Sequence, residues 1–194
     1  MTLKKMQILL PRGFVDPTGP GMKDVPLFFL GGPVRGGGDW QSRMAIMLAE
    51  MVDGDCLIAI PARWNGDHCL AHRVTPTDRK SDFPRQLNWE RYYLNHAGFH
   101  PRPGCVVFWL AVQRESRPAE DGPYAQDTYG EVGEWRGRMM YNPSIRFVAG
   151  AEATFPGLDV IQRNFNMALN REFPIYKTME ETAAAAVKAA LAQA

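Results

Sequence analysis

Long apolar runs are missing from this chain. No stretch approaches the roughly 20 apolar residues that a membrane span needs, so a spanning protein is not expected. An excess of charge of one sign is missing too. The 22 Lys and Arg nearly balance 21 Asp and Glu, leaving a formal net charge of +1, too weak a field to draw in a nucleic-acid polymer or an anionic membrane. Cysteine is scarce and odd in number, with Cys56, Cys69 and Cys105. Two of these sit in apolar runs, the pattern of reduced thiols packed in a cytoplasmic core. The run from Met6 to Leu10 follows two lysines but is too short for a signal peptide. Familiar catalytic signatures are absent as well. No Lys-Ser/Thr pair follows Gly36-Gly37-Gly38, so there is no P-loop, and no acid stands where a dinucleotide fold would need one for the ribose. There is no Gly-x-Ser-x-Gly elbow, and no histidine is visibly paired with a nucleophilic serine or cysteine.

What is present is an ordinary soluble composition, 45% hydrophobic and 22% charged over 194 residues, enough for one domain with a proper core. Residues 1–25 read as an extension rich in Pro and Gly, lying over the domain without a regular core element, and residues 26–194 as the single domain. Leu27-Phe28-Phe29-Leu30 is the first expected strand. Asp39 is placed to cap a helix from Trp40 to Val52, whose Met44, Met47, Leu48 and Met51 repeat at helical spacing. Cys56 to Ile60 is a second strand and Ala62 to Ser81 an elaborated loop. Phe83 to Ala97 reads as a helix stopped by Gly98, and Cys105 to Leu110 as a third strand. After a loop from Gln113 to Gln126, the segment opening with Tyr129 to Trp135 and carrying Glu131 in its first turn is expected to be helical to about Met140. A strand over Ile145–Ala149, a helix over Gly157–Asn170 and an edge strand over Phe173–Tyr176 follow. A last helix is capped by Thr178 with Glu181 at the capping-box position. Five β-then-α units imply a five-stranded parallel sheet with helices on both faces, in flavodoxin-like order, with the ligand at the switch point between the first and third strands.

Glu131 lies between Gly130 and Gly133, after a buried strand, where α/β proteins place their chemistry. Read blandly, it is a carboxylate favoured by a helix amino terminus, an effect of about 0.3–1 kcal/mol. Read functionally, the flanking glycines admit a ligand, and an ionised carboxylate there could attack an electrophilic sugar carbon. Asp127, four residues earlier, is either its acid/base partner or a helix N-cap. The loop from Gly31-Gly32-Pro33 to Gly38 could present backbone N–H groups to an anion. Asp39, Trp40 and Gln41 add a carboxylate, a ring and an amide that suit a sugar or a base. Trp64 and Tyr124, in long loops, either stack a base or pin their loops. Trp89 is core or platform, and Glu90 beside it solvated or catalytic. His68, Cys69 and His72 have a metal-like spacing but no second cluster to complete a zinc site, and no metal is expected. Arg12, Arg35, Arg63, Arg73 and Arg79 read mostly as solvated surface.

Phe29-Leu30-Gly31-Gly32-Pro33 followed by Asp39-Trp40-Gln41 resembles the first strand and helix start of nucleoside 2-deoxyribosyltransferase-like proteins. Gln86-Leu87-Asn88-Trp89-Glu90 before Val106-Val107-Phe108-Trp109 resembles that family's next segment, and Glu131-Val132-Gly133 stands where the family has Glu-Leu-Gly with its nucleophile. The likeness covers roughly residues 27–150. It implies a flavodoxin-like fold and double displacement at an N-glycosidic bond. Glu131 would attack the anomeric carbon of a nucleoside or nucleotide and form a glycosyl-enzyme that a second base or water resolves. No cofactor or metal is implied, and a homo-oligomer is. The chain departs from the family in lacking an aspartate at the end of the third strand and an Asp-Gly-Thr run before the nucleophile. That departure leaves a non-catalytic nucleotide-binding module of the same fold as the alternative.

Overall fold

A computed structural model describes residues 6–62, 64, 66–75, 85–99 and 101–192. Phe83, the expected start of the second helix, lies outside them, as do Arg63 and Arg79. The chain forms a single all-parallel sheet of six strands: β1 (Met6–Leu9), β2 (Leu27–Gly31), β3 (Cys56–Ala59), β4 (Gly104–Leu110), β5 (Phe147–Ala151) and β6 (Ile175–Tyr176). Five α-helices accompany them: α1 (Trp40–Met51), α2 (Gln86–Gly98), α3 (Gln126–Tyr141), α4 (Leu158–Leu169) and α5 (Met179–Leu191). The strand order is β1-β3-β2-β4-β5-β6. Without β1 this is the flavodoxin-like order, and the reversal falls between β2 and β4, the expected first and third strands.

The sixth strand corrects the expectation for the amino terminus. Met6–Leu9 is no overlying extension; it pairs in register with Cys56–Ala59 at the sheet edge. A four-residue strand has too little periodicity to announce itself, and its partner lies about 50 residues further along the chain. The rest of the amino-terminal segment does lie over the domain. Tyr93 Oη takes a hydrogen bond from Val15 N and donates one to Val15 O, and the buried Arg102 guanidinium donates to the carbonyls of Pro17 and Val25.

Alternation along the strands divides the core into two layers. Leu27, Phe29, Val106, Phe108 and Leu110 pack with Trp89 of α2, Trp135 of α3 and Phe165 of α4. Phe28, Leu30, Cys105, Val107 and Trp109 pack with Met44 and Leu48 of α1 and Ala183 and Ala186 of α5. A sheet covered on both faces needs apolar side chains on both, which is why β2 and β4 read as continuous apolar runs. The caps at Asp39 and at Thr178, with Glu181, form as the sequence indicates. No helix among the described residues is long and apolar enough to cross a membrane.

Candidate active site

Parallel strands deliver their following loops to one edge of the sheet, and at the β2/β4 reversal those loops diverge and leave a crevice. A cavity of about 1230 Å³ occupies that place. One wall is the β2–α1 loop with the start of α1. The second is the segment after β3, including Ala62, Trp64 and His68. The third is formed by the facing helices α2 and α3. The cavity thus spans the carboxyl edge from α1, on one face of the sheet, to α2 and α3 on the other.

Of the residues expected in the site, Gly32, Pro33, Asp39, Gln41, Trp64, Asp127 and Glu131 line this cavity. Gly31, Trp40, Trp89 and Tyr124 are not among its lining residues. Gly31 packs against the ring of Phe108, where an added Cβ would stand 2.4 Å away. Trp40 is 3% exposed and its Nε1 donates to the Pro33 carbonyl at 2.8 Å, so it props the loop from beneath. Trp89 is a core residue, fully buried, with its Nε1 donating to Gly13 O at 2.7 Å. Tyr124 pins its loop by donating to Ala111 O at 2.7 Å.

The glycine loop, expected to present its backbone to a ligand, is partly covered, with Gly32, Pro33, Arg35 and Gly38 still on the cavity. The segment after β4 folds over it: Arg114 N donates to Gly36 O at 2.7 Å, and an added Cβ at Gly36 or Gly38 would stand 2.8 Å or 3.1 Å from the Arg117 or Arg114 side chain. Both glycines also have left-handed backbone, with φ of 80° and 72°. They let the two loops pack closely, an arrangement reinforced by Arg35, which reaches across to Asp121.

α3 starts at Gln126, ahead of the Tyr129–Trp135 stretch expected to open it, from a left-handed Ala125 that gives no side-chain cap. Two readings change. Asp127 lies in the first turn of the helix and is not its N-cap, and Glu131 lies beyond that turn, where the helix dipole has largely faded. An early start was hard to read because Gly130, Gly133 and Gly137 punctuate the segment and look like breakers. On the far side of α3, Val132, Trp135 and Met139 enter the core, so Asp127, Glu131 and Glu134 share the cavity side.

Glu131 finds Glu90 in front of it, on α2. The sequence offered no pairing for Glu90. Trp89 and Tyr93 turn the apolar side of α2 inward, which leaves Glu90 and Arg91 on the cavity. Burial pushes Glu131 up to about 7, helped by Glu90, Asp127 and Glu134 and opposed by Arg91. The carboxylate is therefore not held firmly ionised as the sequence reading supposed. Burial also raises Glu90, against the hydrogen bond it accepts from Gln86 Nε2 at 2.7 Å. Glu134 moves the other way: burial works to raise it, but Arg91 and Arg138, which both donate to it, bring it below the ordinary value. Burial thus raises the proton affinity of two carboxyl groups that line the same cavity from different helices.

The opposite wall has different chemistry. The rings of Trp64 and His68 stack with centroids 3.7 Å apart and planes 7° apart. His68 Nε2 lies 3.3 Å from Asp39 Oδ2, and the same carboxylate accepts from Ser42 N at 3.4 Å and from Ser42 Oγ. Gln41 is 3% exposed, and its Nε2 has no hydrogen-bond partner among the described residues. A buried orphan donor costs on the order of 1–3 kcal/mol. The metal-like spacing resolves differently from its sequence pattern. His72 accepts from Arg73 Nε at 3.1 Å, and it is Asp39, His68 and Cys69 whose ligand atoms lie within 4.8 Å of one another. Leu70 N donates to His68 Nδ1 at 3.1 Å, which leaves the ring proton on Nε2, facing Asp39. That set is satisfied as a hydrogen-bonded group, with the imidazole lone pair already used. A comparison with protein-family models and with curated proteins found no match.

Proposed function

We propose that this protein is an N-glycosidic bond enzyme that transfers a 2-deoxyribosyl group between nucleobases, or hydrolyses the bond, through a covalent glycosyl-glutamate. The observation that carries the reading is the pair Glu90 and Glu131, two proton-holding carboxyl groups from different helices on one cavity at the sheet's carboxyl edge. Retaining glycoside chemistry needs one carboxylate to attack and one carboxylic acid to protonate the leaving group, and two carboxyl groups of raised proton affinity on one cavity suit those roles. The resemblance of Glu131-Val132-Gly133 to the family's nucleophile segment adds independent support.

In the first step the ionised Glu131 forms a bond to the anomeric carbon as the carbon–nitrogen bond to the base breaks. The electron pair of that bond goes to the base nitrogen, which takes the proton held by Glu90. In the second step Glu90, now ionised, removes a proton from an incoming base or water as it displaces Glu131. Asp39, Gln41 and Trp64 suit the base and Asp127 the sugar hydroxyls. The raised proton affinity of Glu131 favours a second assignment with the two roles exchanged, Glu90 attacking and Glu131 donating. The scarce cysteines in apolar runs place it in the cytoplasm, and the same resemblance implies a homo-oligomer.

The test is a screen of deoxynucleosides and their monophosphates for base release, with and without a different free base, read by chromatography. Release that disappears in both Glu131→Gln and Glu90→Gln supports the enzyme. A 2-fluoro-2-deoxy sugar nucleoside, followed by peptide mass spectrometry, shows which of the two carries the sugar. Binding without release over long incubation would instead identify a nucleotide-binding module, and full activity in Glu131→Gln and Glu90→Gln alike would dismiss this pair.

A further inference from the structure

A second charge arrangement lies one turn beyond Glu131. Arg91, next to Glu90 on α2, donates through Nη1 to Glu134 Oε2. Glu134 does not wander to meet it. Its other oxygen is held by Arg138 Nη2 at 2.5 Å. Arg138 is itself fixed, donating to Asn95 Oδ1 at 2.8 Å with its guanidinium 5.2 Å from the Phe99 ring and 5.0 Å from the Trp135 ring. Asn95, Phe99 and Trp135 thus hold Arg138, and Arg138 and Arg91 each take one oxygen of Glu134.

We propose that Glu134 is a positioning residue: it holds the Arg91 guanidinium away from Glu131, so that Glu131 meets the substrate paired with Glu90 and not as half of an arginine ion pair. The carboxylates within electrostatic reach of Arg91 are Glu134, Glu131 and Glu90. With Glu134 gone, the remaining acceptor across the helix gap on α3 is Glu131. An arginine clasped to Glu131 would stabilise its anion and occupy the lone pair that attacks. The functional consequence rests on the reading of Glu131 as a reacting carboxylate. The positional claim does not depend on it.

The charged and titratable groups facing Glu131 are Glu90 and Arg91 on α2 and Asp127 and Glu134 on α3, so the test must separate Arg91 from simple loss of a like charge. Carbon-13 carboxyl NMR, with assignment through Glu131→Gln, follows the Glu131 midpoint in the wild type, Glu134→Gln, Arg91→Met and the double variant. The midpoint is expected to fall by about 1–3 pH units in Glu134→Gln, to change much less in Arg91→Met, and to return to the wild-type value or above in the double variant. A double variant that titrates like Glu134→Gln alone overturns the proposal, because the fall would then come from the lost charge and not from Arg91. An unmoved midpoint in Glu134→Gln overturns it too. Glu134→Asp, which keeps the acceptor, is expected to restore most of the midpoint, as a merely structural role would not require. None of these readouts needs catalysis. If the midpoints behave as stated and no nucleoside loses its base, the function assigned above fails and the positioning role stands.

Discussion

The indole of Trp89 donates to the carbonyl of Gly13 at 2.7 Å, and this bond helps set which side of α2 faces the sheet. Trp89 is fully buried against Phe29 and Tyr93. With that side fixed inward, the next residue, Glu90, is presented to the cavity. Trp89→Phe removes the donor and leaves the Gly13 carbonyl without it. A loss of about 2–4 kcal/mol is expected, measured by urea unfolding. Because Trp89 does not line the cavity, nucleoside affinity should change less than about threefold where the variant is still folded. A larger loss of affinity with little loss of stability would restore Trp89 as a base platform.

Stability should depend on pH through Glu131. Its folded value of about 7 lies above the ordinary carboxyl value of 4.5. Between those values the folded state binds the proton and the unfolded state does not, so stability falls as pH rises through this window. Glu131→Gln removes the dependence. The variant should be more stable than wild type by about 2–3 kcal/mol at pH 8, and nearly equal to it below the lower value. Urea unfolding across that range reads the difference, and a wild-type stability that rises from pH 5 to pH 8 relative to the variant contradicts it.

Gly32 and Gly130 both line the cavity but tolerate substitution very differently. At Gly32, φ is 140° and an added Cβ would stand 2.3 Å from the Trp109 carbonyl oxygen, a backbone atom that cannot step aside. Gly32→Ala should cost about 3 kcal/mol or more, or yield no soluble protein. At Gly130, inside α3, a Cβ meets nothing within 4 Å. Gly130→Ala should raise stability by about 0.5–1 kcal/mol, visible as a higher melting temperature. If substrate approaches the helix there, the same methyl group weakens its binding.

His68 covers one side of Trp64 and reaches Asp39 with its ring nitrogen. His68→Ala gives up the stack, at about 0.5–1.5 kcal/mol, and frees Trp64 to leave the cavity wall. The expected outcome is a small loss of stability with at least about tenfold weaker nucleoside binding, a difference of about 1.4 kcal/mol, measured by calorimetry in the Glu131→Gln background to prevent turnover. Unchanged affinity would assign Trp64 to holding its loop and not to the ligand.

The amino-acid sequence by itself determined the features that depend on near neighbours. The apolar runs of β2 to β5 are dictated by burial on both faces. The Asp39 cap and the Thr178–Glu181 capping box act within one turn. The alternation of strand and helix leads, through the handedness of crossovers, to the strand order and the position of the switch point. Asp39, Gln41 and Trp64 could be singled out because they lie in loops after strands or at the start of the helix that follows, and Glu131 because its segment follows the third strand, all of which such a sheet gathers at one edge. What only the tertiary structure decided is whatever depends on a partner far away in the chain. Met6–Leu9 became a strand because Cys56–Ala59 offered an edge. The triple glycine became a packing surface because Arg114 and Arg117 lie over it. Glu90, in sequence either solvated or catalytic, was set beside Glu131 on one cavity because α2 and α3 meet there and bury both. A charge pattern along a helix is visible in sequence, but the water excluded when two helices meet is not, and it is that exclusion which raises the proton affinity of both carboxyl groups.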